Sequence, residues 1–438
     1  MALVYRAKRE TAKAVAFETA NTPIGGASWR SRVHELWRRL PSEPRRAALF
    51  TLTSLLAPRP LQDAVGGTPV TVAGLLRSTT GIGEGARLCL AALKALDIKP
   101  ASLDFSERLD LADMPDSGRV LPPLDGAAGG TMIVHINAPY LPLALLAMGR
   151  AATRSKRVIG YWSWELPRIP ESWRVGCPFV HEIWVPSRFT ADAVRAEVDV
   201  PVRIVPHPML PVPPKQSDWR QKLGIGADAL VAATIFHMGS SFARKNPLGA
   251  VAAFRGALGA DRNAHLIVKM NDGDVAPGLR AALLAAIDGH ANIHLIEQKL
   301  SDQEMVDLLR SVDILLSLHR TEGFGLPLAR AMQLGKLVIA TGWSGNLDFM
   351  TRENSMLLDY SLIPAKDPQQ TYDYHDVNWA DPSVEHAVAC LRQAAASPAL
   401  RAELGARAAR DIARRFGLDS WSGARHLRRF ASAGHCIA

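Results

Sequence analysis

The sequence predicts an α/β protein made of two doubly wound domains. Three observations carry this. Short apolar runs alternate with stretches of helical period from residue 70 onward; a proline-rich segment interrupts the alternation once, after which it restarts; and glycine-rich turns follow several of the runs. Strands that alternate with helices pair in parallel and are covered on both faces. In such sheets ligands lie beyond the carboxyl ends of the strands, so the residues just after each strand are the ones to read for function.

The chain has 438 residues, too many for one core, and 48% apolar with 21% charged residues excludes a disordered chain. Its longest apolar run, Ala47 to Pro58, is too short and too rich in hydroxyls to span a bilayer. The start lacks an apolar segment with a small-residue cleavage site, so no secretion signal is expected. Cys89, Cys177, Cys390 and Cys436 are scattered with no CxxC pair, which fits a reducing cytoplasm and argues against a disulfide frame or a structural zinc. Residues 1–66 hold eleven Lys/Arg against five Asp/Glu and so supply +6 of the net +9. The basic character thus belongs to an N-terminal extension. Within it, "SWRSRVHELWRRL" sets Trp29, Val33, Leu36, Trp37 and Leu40 on one helical face, with Arg30, Arg32, Arg38 and Arg39 largely off it. Such a helix docks on the protein's own body or lies on an anionic membrane surface. No nucleic-acid motif accompanies the charge.

In the first half of the body, "VTVAGLL", "GTMIVHIN", "KRVIGYWSWEL", "HEIWVPS" and "PVRIVPHPM" read as strands. The turn Gly81-Ile82-Gly83-Glu84-Gly85 opens a helix, and Asp104 lies about as far on as the acid of a dinucleotide fingerprint would. The spacing is GxGxG rather than GxGxxG, so the turn reads equally as a tight strand-to-helix connection. His135, Trp164 and Glu165 fall at strand ends. For His135 and the tryptophans the alternative is simple core.

"PHPMLPVPPKQSDW", Pro206 to Trp219, has five prolines in fourteen residues and reads as a semi-rigid linker. The domain boundaries are therefore set at 1–66, 67–210 and 211–438. Beyond the linker, "LVAATIF", "AHLIVKM", "NIHLIEQ", "DILLSLH" and "KLVIAT" read as a second set of strands. Arg244 and Lys245 stand in the turn after the first of them, before a helix with Pro247 in its first turn. Cations and amides together there, with Gly239, make an anion site. Ser301 and Glu304 form a capping box that pins the loop "EQKL", with Glu297 at its start, where backbone groups would meet a planar base. In "TEGFGLPLARAM", Gly323 and Gly325 allow backbone to approach a ligand, Pro327 starts a helix and Gly335 stops it. Asp272-Gly273-Asp274 reads as a polar turn.

These residues resemble a known family. "SLHRTEGFGLPLARAMQLGKLVIATGWSGN" is similar to the nucleotide-binding signature of family 4 (group 1) glycosyltransferases of the GT-B fold, "SSFARKNP" to their phosphate-binding turn, and "GIGEGAR", "GYWSWELPRIPESW" and "HEIWVPSRFTADAV" to first-domain segments of bacterial polysaccharide-type members. The resemblance covers roughly residues 68–420. It implies two Rossmann-like domains facing a cleft, with the last helix returning to the first domain. It implies a nucleotide-diphosphate sugar donor in the second domain, a glycan or lipid-linked acceptor in the first, retention of configuration, and neither cofactor nor metal. The implied catalytic residues are Glu322, Lys245 and His135. The implied donor site comprises Arg244, Gly239, Glu297, Gly323, Phe324, Gly325, Leu326, Arg330, Gly345 and Asn346, and the acceptor site Gly83, Glu84, Trp164 and Glu165. The expected setting is the cytoplasm, with contact to the inner membrane face through residues 28–40 as the alternative to their docking on the body.

Two positions depart from the family pattern. Where a second glutamate would grip the ribose, this chain has Arg330, which has five donors and no acceptor. Where His-Asp is common, it has Trp164-Glu165. Replacing Arg330 by Glu is accordingly expected to tighten donor binding. The other reading the residues leave open is a catalytically weak GT-B protein that binds a nucleotide sugar or glycan and assists a partner. A nicotinamide-dependent oxidoreductase is disfavoured, because nothing supplies an acid or base for hydride transfer.

Overall fold

The computed structural model describes residues 42–433 except 110, 112, 115–128, 154 and 375. The basic stretch 28–40 and Cys436 lie outside the described residues. The first described element is the helix Ser42–Leu56.

Six parallel strands, β1 (Val70–Gly74), β2 (Ala101–Asp104), β3 (Thr131–His135), β4 (Arg157–Tyr161), β5 (Glu182–Val185) and β6 (Val202–Ile204), make the first sheet, in the order β2-β1-β3-β4-β5-β6. Six more, β7 (Leu230–His237), β8 (Ala264–Asn271), β9 (Ile293–Ile296), β10 (Ile314–Ser317), β11 (Leu337–Thr341) and β12 (Met356–Leu358), make the second, ordered β12-β11-β10-β7-β8-β9. β1, β3, β5 and β11 are buried at every position. A parallel sheet covered by helices on both faces requires this, and it is why these strands read as unbroken apolar runs. Each half is therefore a doubly wound domain, as the sequence predicts.

Three elements escaped the sequence reading. β2 is an edge strand of sequence ASLD, too short and polar to stand out, paired from Thr71↔Ala101 to Gly74↔Asp104. β12 is the three-residue edge of the second sheet. β13 (Tyr360–Pro364) and β14 (Asn378–Pro382) form an antiparallel hairpin, and the connection between them carries Tyr372. Tyr372 and Trp379 bury themselves in the core of the first domain, among Trp164, Trp173 and Leu166.

The proline-rich linker is pinned to the second domain. The amides of Gln216 and Ser217 donate to Asp307 at 3.1 and 3.0 Å, and Met209 N donates to Phe416 O at 2.8 Å. The chain then returns. The helix Ser422–Ala433 lies on the first sheet, with Trp421, Ala424 and Leu427 packed against Val72, Leu93 and Trp184, and Trp421 Nε1 donates to Pro206 O at 2.9 Å. Trp421 is 2% exposed, so Trp421→Ala should cost about 3–5 kcal/mol in equilibrium denaturation. A loss below about 1 kcal/mol would show that the returning helix adds little.

Candidate functional site

The carboxyl ends of both sheets open on a cleft holding a cavity of about 380 Å³. The first domain lines it with Thr79, Thr80 and Gly81 after β1, Asn137 after β3, and Ser163 and Glu165 after β4. The second lines it with Gly239 after β7, Leu300 after β9, and Glu322 after β10.

The loop carrying Glu322 is fixed from both sides. Its N–H donates to Ser344 Oγ at 2.8 Å, and Gly345 N donates to its carbonyl at 2.9 Å. A Cβ on Gly345 would come within 2.2 Å of Gly323 O, and one on Gly323 within 2.8 Å of Trp164 O, so these glycines are required for close approach of backbone to backbone. Gly325 adopts φ +94°, Pro327 stands in the first turn, and the helix Leu326–Gln333 starts with no side-chain cap, its first turn on the cavity. Gly335, at φ +70°, ends it.

Glu322 is 8% exposed and meets two cations. Lys245 Nζ donates to Oε1, and Arg244 Nη1 lies 3.4 Å from Oε2. Arg244 is itself fixed, Nη1 donating to Thr321 O and Nε to Ser240 O, both at 3.0 Å. Burial by itself would raise the Glu322 carboxyl, but Lys245, Arg244 and His319 together outweigh it and hold it at about 2. Burial pulls the Lys245 ammonium down as well; the carboxylate in contact with it keeps the pair ionised at neutral pH.

Groups from both domains brace this centre. Tyr372 lies under the Arg244 guanidinium, 5.1 Å from ring centroid to Cζ, and donates to Glu165 Oε2 at 2.8 Å. Burial raises the Glu165 carboxyl above its usual range. Thr190 Oγ1 donates to Trp164 O at 2.9 Å and lies 3.3 Å from Gly323 O, and Thr321 Oγ1 donates to Glu165 O.

The structure brings most of the expected site residues to one cavity: Lys245, Arg244, Gly239, Glu322, Gly323, Phe324, Gly325, Leu326, Arg330, Glu84 and Glu165 all line it. Others stand elsewhere. His135 is 1% exposed, stacks on Tyr161 at 4.5 Å, and lies outside the cavity lining, so it has no reach to a ligand there. Glu297 is held by both arms of Arg280 at 2.7 Å and also lies outside. Gly345 and Asn346 act behind Glu322: Asn346 Nδ2 donates to Thr341 O at 3.0 Å, and its Oδ1 lies 3.2 Å from His319 Nε2. Gly83 is a packing glycine, since a Cβ there would meet Leu75 O and Ser78 O at 2.6 Å. Trp164 is core, its indole N–H donating to Arg168 O at 2.7 Å. Gly239 lines the cavity, but its amide donates to His237 Nδ1 at 3.0 Å, and Asn246 caps the helix that follows Lys245. At that turn Arg244 and Lys245 line the cavity together with Gly239 and Ser240. Asp104 is occupied by Arg77 Nε at 2.7 Å and Leu76 N at 3.1 Å, which removes the dinucleotide reading of Gly81–Gly85.

Residues that the sequence did not flag join the two halves. Lys299 Nζ lies 2.7 Å from Asp113 of the first domain and 2.8 Å from Asp272 of the second. His237 Nε2 lies 3.2 Å from Asp272. Asp113, His237 and Asp272 have the spacing of a cation site, and the Lys299 ammonium sits against both carboxylates. Asp272 does start a turn, at φ +56°, as its sequence suggests. Nothing local in the sequence marks it as a partner of Asp113, 159 positions away in the chain. Arg87 grips Asp302 at 2.7 and 2.8 Å in the same manner. His207, just after β6, is buried on the cavity wall between Tyr161 and Phe324.

Fold and site define a class: a GT-B protein, two Rossmann-like domains with a buried, ionised centre in the cleft between them. Residues 232–374 match the model of the family described as Glycosyl transferases group 1, about a third of the chain. The match contains both "SSFARKNP" and "TEGFGLPLARAM" and bears out the resemblance read there. Among solved structures, the chain is similar to Anabaena HepE in complex with UDP and glucose (11% identity, TM-score 0.57, 84% of this chain and 100% of that one). It is similar also to sucrose-phosphate synthase from Thermosynechococcus elongatus (16%, 0.52, 69% and 74%). S. aureus TarM in complex with UDP is a further similar structure (12%, 0.50, 69% of this chain), and the chain spans about half of its length, 55%. No curated protein matches. At these identities the structural likeness establishes the fold.

The buried imidazoles give the site an acid signature. Burial pushes His207 down to about 3, His319 to about 4 and His135 well below its usual 6.5. A group whose folded value is lowered binds its proton first in the unfolded chain. Stability is therefore whole above 6.5 and falls as pH drops towards 4, before the loss of Glu322 ionisation between about 4.5 and 2. Urea melts between pH 6.5 and 4 should show a slope of about 1.4 kcal/mol per pH unit for each such histidine, and His207→Gln should remove about one. An unchanged slope would place His207 in water rather than in the wall.

Proposed function

We propose that the chain is a retaining glycosyltransferase that moves a sugar from a nucleotide-diphosphate sugar to a hydroxyl acceptor, without a divalent metal, in surface polysaccharide or glycoconjugate synthesis. The observation that carries this is the Glu322 carboxylate held between Lys245 and Arg244 at the mouth of the second sheet, beside an uncapped helix N-terminus. The group 1 family match over the same residues supports it.

The chemistry follows from charge. Breaking the bond between the sugar's C1 and the diphosphate oxygen leaves negative charge on the phosphate and positive charge on the sugar. Lys245, Arg244 and the first-turn amides of the helix Leu326–Gln333 are already in place to stabilise the departing phosphate. With the donor bound, Lys245 turns from Glu322 to the phosphate, and the Glu322 carboxylate is released to accept hydrogen bonds from sugar hydroxyls. The acceptor oxygen bonds to C1 on the face the phosphate leaves, and its proton passes to a phosphate oxygen. No protein nucleophile enters this sequence. Lys245→Met should lower kcat by about 10²–10³-fold at saturating donor, the range set by losing one preorganised group that meets the developing charge. Nucleotide binding without sugar transfer or donor hydrolysis, over a panel of donors, would instead make the chain a binding module.

The acceptor side faces an apolar surface. On the helix Ser42–Leu56, Leu52, Leu55 and Leu56 are 54, 72 and 66% exposed, and Leu61 and Val65 follow. Phe50 of this helix packs edge-on against Tyr140 at 5.3 Å, and Tyr140 lines the cleft. Residues 1–41, which run into the helix, carry eight Lys/Arg against three Asp/Glu. Leucines beside a basic segment suit the face of an anionic bilayer, where a lipid-linked acceptor would be presented. The full chain should co-sediment with vesicles of anionic phospholipid, and Leu52→Glu with Leu55→Glu should abolish this while sparing transfer to a water-soluble acceptor. Equal binding by that variant would assign the patch to another partner, residues 28–40 of the same chain first.

A further inference from the structure

Glu84 stands in the first turn of the helix Gly81–Ala95, in the first domain, and lines the cleft. Glu84 is half-buried, and among the described residues its carboxylate has no hydrogen-bonding or ion-pair partner. Three charged neighbours act on it through space: Arg87, Arg330 and Asp302. Neither guanidinium makes a hydrogen bond or ion pair to it among the described residues. Arg87 spends Nε and Nη2 on Asp302, at 2.7 and 2.8 Å, and Nη1 on the carbonyls of Leu76 and Ser78, at 3.2 and 2.7 Å. Arg330 Nη1 donates to Gln333 Oε1 at 2.6 Å. A half-buried carboxylate that lines the cleft without a protein donor is open to donors from a ligand or from water.

The position says what those donors are. Arg330 lies one helical turn beyond Leu326, about 6 Å along the axis from the N-terminus that faces the phosphate space. Around it, Leu300, Met305, Val306 and Leu309 give the cavity an apolar wall suited to a flat ring. The group that joins a base to a diphosphate is a ribose. Its two adjacent hydroxyls are donors matched to the two oxygens of one carboxylate, the same pairing that acidic residues make with ribose in dinucleotide sites.

We propose that Glu84 accepts the vicinal ribose hydroxyls of the donor across the cleft, making the first domain part of the nucleotide site. This rests on the reading of the cleft as a nucleotide-sugar site. Two consequences follow. The phosphate grip and the ribose grip belong to different domains, so one nucleotide ties them together. Arg330 acts as a positioning residue, its charge balancing Glu84 and Asp302. The structure thereby reverses the expectation for Arg330→Glu: the new carboxylate would stand beside two others, and donor binding weakens.

The experiment is calorimetry of the full chain with UDP, GDP, ADP and CDP, followed by the 2′,3′-dideoxy form of the tightest binder. Wild type should favour the ribonucleotide by about ten- to a hundred-fold, as expected for lost hydrogen bonds to a charged group. Glu84→Ala and Glu84→Gln should bind both forms with nearly equal affinity, at the level wild type shows for the dideoxy ligand. Arg330→Glu should weaken the ribonucleotide, and the exchange Glu84→Arg with Arg330→Glu should recover part of the ribose preference. Full ribose preference in both Glu84 variants, or none in wild type, overturns this assignment and leaves the nucleotide site standing. Failure of wild type to bind any of the four overturns the site and the assignment together.

Discussion

A carboxylate buried beside two fixed cations is the constraint on which the cleft is built. Glu322 alone could not stay ionised at 8% exposure; Lys245 and Arg244 alone would leave two positive charges in a cavity of limited size. Together they form a centre of net +1 in the cleft. The surrounding backbone serves that centre. Ser344 and Gly345 hold the Glu322 peptide, Thr321 O and Ser240 O hold the Arg244 guanidinium, and the absence of side chains at Gly323 and Gly345 lets these segments meet. Glu322 and Arg244 are thus each held by neighbouring backbone or hydroxyl groups as well as by charge.

The two domains meet through contacts of three kinds. Near Glu322 they are hydrogen bonds of backbone and hydroxyl, Thr190 with Gly323 and Thr321 with Glu165. On the cleft walls they are ion pairs, Lys299 between Asp113 and Asp272, and Arg87 with Asp302. Behind the cleft they are apolar, where Tyr372 and Trp379 from the β13–β14 hairpin enter the first domain's core and Trp421 returns to its sheet. The apolar contacts fix the two halves in register. The ion pairs, each partly open to water, contribute less and are the ones a ligand can replace.

Much of this was legible in the sequence, and the reason is locality. The two sheets were visible because buried parallel strands are continuous apolar runs. The capping box at Ser301, Pro327 and Gly335 announced helix ends by rules that involve only a few neighbours. Glu322 and Lys245 were visible as residues after strands. What failed were statements about direction and partnership. His135 stands at a strand end as expected but turns onto Tyr161, because the residue following a strand faces the cleft only if its place in the two-residue alternation allows it. Gly239 lies in the cavity wall, but its amide is taken by a histidine two residues earlier. Glu297 and Trp164 were claimed by Arg280 and by the core. The hairpin β13–β14 and the strand β2 were missed because short edge strands need not be apolar.

Arg330 shows where reading one segment at a time reaches its limit. Within "TEGFGLPLARAM" the arginine looks like a loss, a cation where the pattern wants an acceptor. In three dimensions its environment is set by the other domain, through Glu84 and by Asp302 on a neighbouring helix. A cation at Arg330 and an anion at Glu84 sum to zero, whereas an anion at the first position with a neutral group at the second would sum to −1. The side of the cleft that supplies the acceptor is then a matter of which domain carries it, not of whether it exists. Under the assignment proposed for Glu84, the carboxylate is carried by the first domain and its cation by the second, so neither segment read by itself shows the pair.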